Sequence, residues 1–368
     1  YYFTWLYIKV MRKYNIIIKT GEAEIRAIEH LSIEATSNMF PIIELTRGRK
    51  ITRNNTASYP FDKRLEKIKN VFEGQDVCID VTSDPALSSP ETHALYNPKN
   101  GYENWVRFLL NLKEENKFGN IVPTILWNFE DPNFEDNIKG QITSLTKEFG
   151  MLAYRNPIEE DPGFYEDIET FIKDISLLFI VDCEYVPMAS CQNVAQRCIA
   201  RINNLKSLLT NAETKYILAA TSYPNNVTEF GEMERDELML SEICLYNAVK
   251  AAHSDILYGD YGSIFPKRND AIVMARGWVP KIDVSLPESV FYHRQRRPKG
   301  VTAYADTYIQ VAKSCVEDPL FPRDINDIWG IGQIRSCAMG SVPSSSPSFW
   351  ISVRMNVHVM QRLRSKLI

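Results

Sequence analysis

The chain has 368 residues, 45% of them hydrophobic and 24% charged, with a formal net charge of −4. That balance excludes a global electrostatic pull towards nucleic acid or anionic membrane, so either contact would need a local patch. No stretch approaches the ~20 apolar residues of a membrane span. The seven cysteines, most of them inside apolar runs or a helix, read as buried reduced thiols of a cytoplasmic protein.

Tyr1 to Ile8 is apolar but short, and it has neither a basic n-region nor a small-residue cleavage site. It is therefore not a secretory signal. An upstream extension, an adventitious start and an edge strand all remain open for residues 1–11. From there a cadence begins in which short β-type runs stop at a charged or hydrogen-bonding residue. Ile16-Ile17-Ile18 stops at Lys19, Pro41-Ile42-Ile43 at Glu44, and Val77-Cys78-Ile79 at Asp80. Pro123 to Leu126 stops at Trp127, Met151 to Tyr154 at Arg155, and Phe179-Ile180-Val181 at Asp182. Tyr216 to Ala220 stops at Thr221-Ser222, and Ile256 to Gly259 at Asp260.

Helical periodicity fills the intervals. Ile25, Ile28 and Leu31 share a face, as do Leu65, Ile68 and Val71. Helices are expected at 103–115, 137–148, 165–176, 190–209 and 232–252, and polar loops at 47–59 and 83–101. Eight β-then-α units predict a (β/α)8 TIM-like barrel over 1–264, since such barrels run to roughly 250 residues. Beyond it, 271–275, 279–284 and 290–294 alternate like antiparallel strands, 302–316 reads as a helix, and 330–347 reads as a Gly/Ser/Pro loop. The tail 349–364 is a strand or a helix. Residues 265–368 are thus an α+β appendage packed on the barrel.

Barrels of this kind carry their chemistry at the C-terminal ends of the strands. Lys19, Glu44, Asp80, Arg155, Asp182, Ser222 and Asp260 would therefore share one rim. Gathering several charges there is costly unless they pair with each other, with a metal or with a ligand. Glu44, Asp80, Asp182 and Asp260 are the candidate catalytic groups, as acid and base or as oxygen ligands of Mg2+. Lys19, Arg155, Ser222 and Tyr261 are candidate ligand-binding residues. Arg276 and Arg294 would complete the site from the appendage and favour an anionic ligand. No His ends a barrel strand and no paired CxxC occurs, which argues against zinc. The basic run 293–299 with aromatic neighbours is the one local patch suited to nucleic acid.

Several phrases together resemble the beta protein family of bacteria and phages. They are Ile17-Ile18-Lys19 with Gly21-Glu22-Ala23-Glu24, Phe40-Pro41-Ile42-Ile43-Glu44, Val77-Cys78-Ile79-Asp80 and Ile121-Val122-Pro123. Ala220 to Pro224, Tyr258-Gly259-Asp260-Tyr261-Gly262-Ser263, and Phe349-Trp350-Ile351 followed by His358 complete the set. The resemblance implies a phage or anti-phage setting and supplies no reaction. Two functions stay open. One is an enzyme with a charged barrel mouth, working by metal-assisted hydrolysis or binding a phosphorylated ligand or nucleic-acid end. The other is a non-catalytic scaffold for a protein partner of the same phage or defence system.

Overall fold

A computed structural model describes residues 12–53, 56–159, 169–210, 213–225, 233–267 and 277–368. Residues 1–11 and the expected strand at 271–275 lie outside the described residues, as does part of the expected helix at 165–176. The strands are β1 (Tyr14–Lys19), β2 (Met39–Leu45), β3 (Ile51–Arg53), β4 (Thr56–Ser58), β5 (Val77–Val81) and β6 (Ile121–Pro123). They continue as β7 (Leu152–Pro157), β8 (Leu177–Tyr185), β9 (Thr214–Thr221), β10 (Arg235–Met239), β11 (Leu257–Asp260), β12 (Lys281–Ser285) and β13 (Ser289–Arg294).

One eight-stranded sheet runs in the order β6-β5-β2-β1-β11-β9-β8-β7 with every neighbouring pair parallel. A parallel bridge between Thr124 and Ala153 links its two ends, with the Ile125 N–H donating to the Ala153 carbonyl at 2.8 Å. The sheet is therefore a nearly closed barrel with the eight strands expected, although the fourth lies at Ile121–Pro123 and not at the expected 123–126. Strands buried on both faces need apolar side chains in both directions. The inward set (Ile17, Ile42, Cys78, Val122, Leu178 and Ile180) packs as its own cluster inside the barrel. The outward set, including Ile16, Ile18, Ile43, Ile79, Phe179 and Val181, packs against the helices.

The helices are α1 (Glu22–Glu29), α2 (Ile33–Ser37), α3 (Asp62–Val71), α4 (Pro90–Leu95), α5 (Lys99–Glu114) and α6 (Phe134–Glu148). They continue as α7 (Cys191–Leu208), α8 (Ser241–Ala252), α9 (Ala305–Glu317), α10 (Trp329–Ala338) and α11 (Pro347–Arg364). In α1, Ala23, Ile25, Ala27 and Ile28 are buried and Glu22 and Glu24 occupy the first turn, where the helix dipole favours acids.

Four segments differ from expectation. The polar stretch 47–59 contains the hairpin β3–β4. Within 83–101 lies α4, started by a capping box in which Ser89 and Thr92 exchange hydrogen bonds and Pro90 stands at the first turn. The segment read as one helix from 232 begins instead as β10, an edge strand antiparallel to β13. Residues 329–338, inside the expected Gly/Ser/Pro loop, form α10, because Gly330 lets this helix lie directly on α11. A Cβ there would stand 2.6 Å from Val357 Cγ2.

The strand order β10-β13-β12 makes a small antiparallel sheet. One side packs with α9, α10 and α11 in a second core that includes Val284, Phe291, Tyr308, Trp350 and Val353. On the barrel side, Met355 and Val359 of α11 join the main core.

Candidate functional site

The rim is built by register. Lys19 is aligned with Glu44, and Glu44 with Asp80, so three neighbouring strands present charged residues at one level. These positions continue the inward parity of Ile17, Ile42 and Cys78, so the side chains face the barrel axis. Arg155 follows inward Ala153 and Asp182 follows inward Ile180 by the same alternation.

The guanidinium of Arg155 stands at the centre. Its Nε donates to Asp182 Oδ2 at 2.7 Å, and one terminal nitrogen donates to Glu44 Oε2 at 2.7 Å and Asp80 Oδ2 at 2.9 Å. The other terminal nitrogen donates to the Tyr261 hydroxyl at 2.8 Å, and that hydroxyl donates in turn to Asp182 at 2.6 Å. Lys19 Nζ lies 5.1 Å from the centre of the Tyr261 ring. Asp80 and Asp182, expected on one rim and facing the axis, are held there by the same arginine. The charges at the rim thus pair with each other, and Arg155 gathers all three carboxylates.

The carboxyls are treated unequally. Burial acts to raise Glu44, but the charges of Lys19 and Arg155 and hydrogen bonds from Arg155 and Thr82 outweigh it and hold Glu44 below its usual value. Burial raises Asp80; Arg155 pulls it back, Glu44 pushes it up, and the net shift is upward. Arg155 is disfavoured by burial, yet Tyr261 and the three carboxylates hold it well above its ordinary value.

Beside Arg155 opens a cleft of about 240 Å3 whose lining includes Asp80, Tyr96, Trp127, Phe129, Arg155 and Asp182. Tyr96 is fixed by donating to the Val81 carbonyl at 3.0 Å. Tyr96 caps the C-terminal end of α4 and Phe129 lies in the loop after β6, and no motif marked either.

Asp260 does not join this cluster. It is aligned with Ile16, which points outward, so its carboxylate leaves the barrel on the helix side, and Tyr261 takes the inward place. There Asp260 accepts from the hydroxyls of Tyr14 and Tyr258, each at 2.8 Å, and from the Gly262 N–H at 2.8 Å, with His358 Nε2 at 2.9 Å. Gly262 has φ +60, which makes the tight turn after Asp260. Burial acts to raise Asp260, but the charge and hydrogen bond of His358, with those of Gly262 and Tyr14, hold it below its usual value. Ser285 Oγ lies 3.1 Å from His358 Nδ1. The Ser-His-Asp array is wholly buried, with His358 and Ser285 at 0% exposure and Asp260 at 1%, so it clasps the appendage to the barrel and offers no nucleophile to a substrate.

Ser222 does not line the mouth cleft; it is buried beyond the end of β9, its N–H donating to Glu242 Oε2 at 2.9 Å. Arg294 borders a separate cavity between barrel and appendage. Arg276 lies outside the described residues. In the basic run, His293 pairs with Asp318 at 2.8 Å and Arg297 stacks on Tyr304 at 4.1 Å, so both already have structural partners.

Among the described residues no group of three or more His, Cys, Asp or Glu side chains is placed to hold a metal ion, and no helix is long and apolar enough to cross a membrane. The chain is similar to Protein beta of Enterobacteria phage P4, with 28% identity over 356 residues, covering 95% of this chain and 92% of that protein. The Beta protein family model matches residues 14–364, and the rim, the clasp and both cores fall inside that span: the chain belongs to the Beta protein family.

Proposed function

We propose that the chain is an enzyme of a phage system that binds a small polar substrate in the mouth cleft and transfers a proton through Asp80. The observation that carries this reading is that one guanidinium nitrogen holds two buried carboxyls of which Asp80 also lines the cleft; Lys19 and Arg155 push Glu44 down while burial pushes Asp80 up. Such splitting is how environments divide acid and base roles between like groups. Asp80 lines the cleft, so the carboxyl of the pair that burial pushes upward is the one a substrate reaches. Arg155, fixed by its four partners, is an oriented donor for negative charge that develops on the substrate.

Metal-assisted hydrolysis is less well supported, because the guanidinium stands where a cation would bridge Glu44, Asp80 and Asp182. A phosphorylated ligand at this mouth is also less well supported, since among the described residues the cleft adds Glu184, already paired with Lys267, to three carboxylates gathered by Arg155. The substrate that suits the site is neutral or cationic.

Incubating the protein with a polar metabolite extract, followed by untargeted mass spectrometry, tests this. The wild type should consume a compound that Asp80→Asn leaves untouched, with or without EDTA. Identical profiles for the two proteins would end the acid–base reading, and loss of turnover in EDTA would replace it with metal chemistry.

Phe129 and Met188, on the loops after β6 and β8, are 49% and 44% exposed, which favours a second reading as a docking lip for a protein partner of the same phage or defence system. Phe129→Ser with Met188→Ser would then abolish co-purification with that partner and spare the fold.

A further inference from the structure

The same barrel end has a second opening, where the loops after β9 and β11 meet the appendage. It is a cavity of about 410 Å3, lined by Trp278, Tyr308 and Trp350 together with Lys281, Asp283 and Arg354. Its charges are incompletely matched. Asp283 accepts from Lys281 and from Tyr223, each at 2.6 Å, while Arg354 reaches it only at 3.4 Å. Arg354 lies flat on the Tyr223 ring, 3.6 Å from its centre, and is 6% exposed. Its Nε has no hydrogen-bond partner. Arg354 is thus a buried cation with one long bond to a shared carboxylate, and such a cation gains from a closer anion at its terminal nitrogens.

Two cations against one carboxylate leave surplus positive charge in a cavity with aromatic walls. The wall is braced, since Trp278 stacks on Tyr304 with centroids 4.0 Å apart and planes at 7°. The first turns of α11, at Pro347 and Trp350, line the same space, and a helix start favours negative charge. Loops after the seventh and eighth strands are also where barrels often hold phosphate.

We propose that this cavity binds a nucleoside 5′-monophosphate, its phosphate on Arg354 and Lys281 and its base against the aromatic wall at Trp278. Burial lowers Lys281 to about 8, partly offset by Asp283, so this ammonium gains from a second anionic partner. The inference needs nothing from the mouth chemistry and survives its failure.

The test is isothermal titration of the full chain with AMP, GMP, CMP and UMP, with adenosine and inorganic phosphate as controls. At least one monophosphate should bind, with adenosine and phosphate each weaker by about tenfold or more. Lys281→Met should weaken binding by about tenfold. Because Lys281 also braces Asp283, Trp278→Leu, checked by circular dichroism, supplies a second variant expected to weaken the same ligand. Absence of binding for all four nucleotides at about 1 mM, or affinity unchanged in both variants, would overturn the assignment.

Discussion

At the scale of single residues the mouth is a problem in charge burial. Glu44, Asp80 and Asp182 are 3%, 4% and 2% exposed, and one guanidinium offsets the cost of gathering them. Arg155→Met should therefore cost about 3–5 kcal/mol at neutral pH, the usual penalty for leaving a buried charge without its partner. The loss should shrink as pH falls. Without Arg155, burial would lift Glu44 above its unfolded value near 4 and push the already raised Asp80 further above its own. The folded variant would then bind more protons than the unfolded chain, so its stability rises as pH drops from neutral towards those values. Melting curves from pH 7 to pH 5 check this: a gap between variant and wild type that stays constant or widens would mean the carboxylates are not held by Arg155. The rim residues were legible because each ends an apolar run. Asp260 ends one too and yet faces the other way. Only counting alternate positions from Ile17 and Gly259 separates Asp260 from Tyr261, and run endings alone carry no such parity.

At the scale of elements, what could be read depended on how strongly a segment's periodicity exceeded its local punctuation. All eight barrel strands were legible, since β-branched runs bounded by turns leave little alternative. The two segments 232–252 and 330–347 were not. Arg235 to Met239 is too polar to look like a strand and becomes one only because β13 offers an edge to pair with. Gly330 and Gly332 look like loop signals, but α10 tolerates them where it lies against α11. The last helix, α11, is the element that joins both cores. Asn356 donates to the Ala27 carbonyl of α1 at 3.0 Å and accepts from the Gly330 N–H at 3.0 Å, while Arg362 donates to the Leu286 carbonyl at 2.8 Å. His358 adds the contact to Asp260. Asp260→Asn keeps the shape and removes the charge, and it should lower stability by about 3–5 kcal/mol. Turnover per folded molecule should stay unchanged. Retained melting temperature with lost turnover would return Asp260 to the catalytic group.

At the scale of the molecule, barrel and appendage are written into one another. The small sheet takes β10 from between two barrel strands, and α11 contributes Met355 and Val359 to the main core. Asp260, on the eighth barrel strand, carries a buried carboxylate whose charged neighbour, His358, comes from the appendage. A chain cut after residue 264 would therefore lose three things at once. The main core would lose its α11 side chains, β10 would lose its partner β13, and Asp260 would keep its burial cost without His358. Each is a recognised route to severe destabilisation, and together they exceed the 5–15 kcal/mol that typically holds a domain folded. The full chain should accordingly melt in a single calorimetric transition. The fragment 12–264 should show weak near-UV circular dichroism and bind a hydrophobic dye, as compact states without fixed packing do. Two separate transitions in the full chain, or a fragment with native-like near-UV signal, would show instead that the barrel stands alone and that the appendage was added to a finished fold.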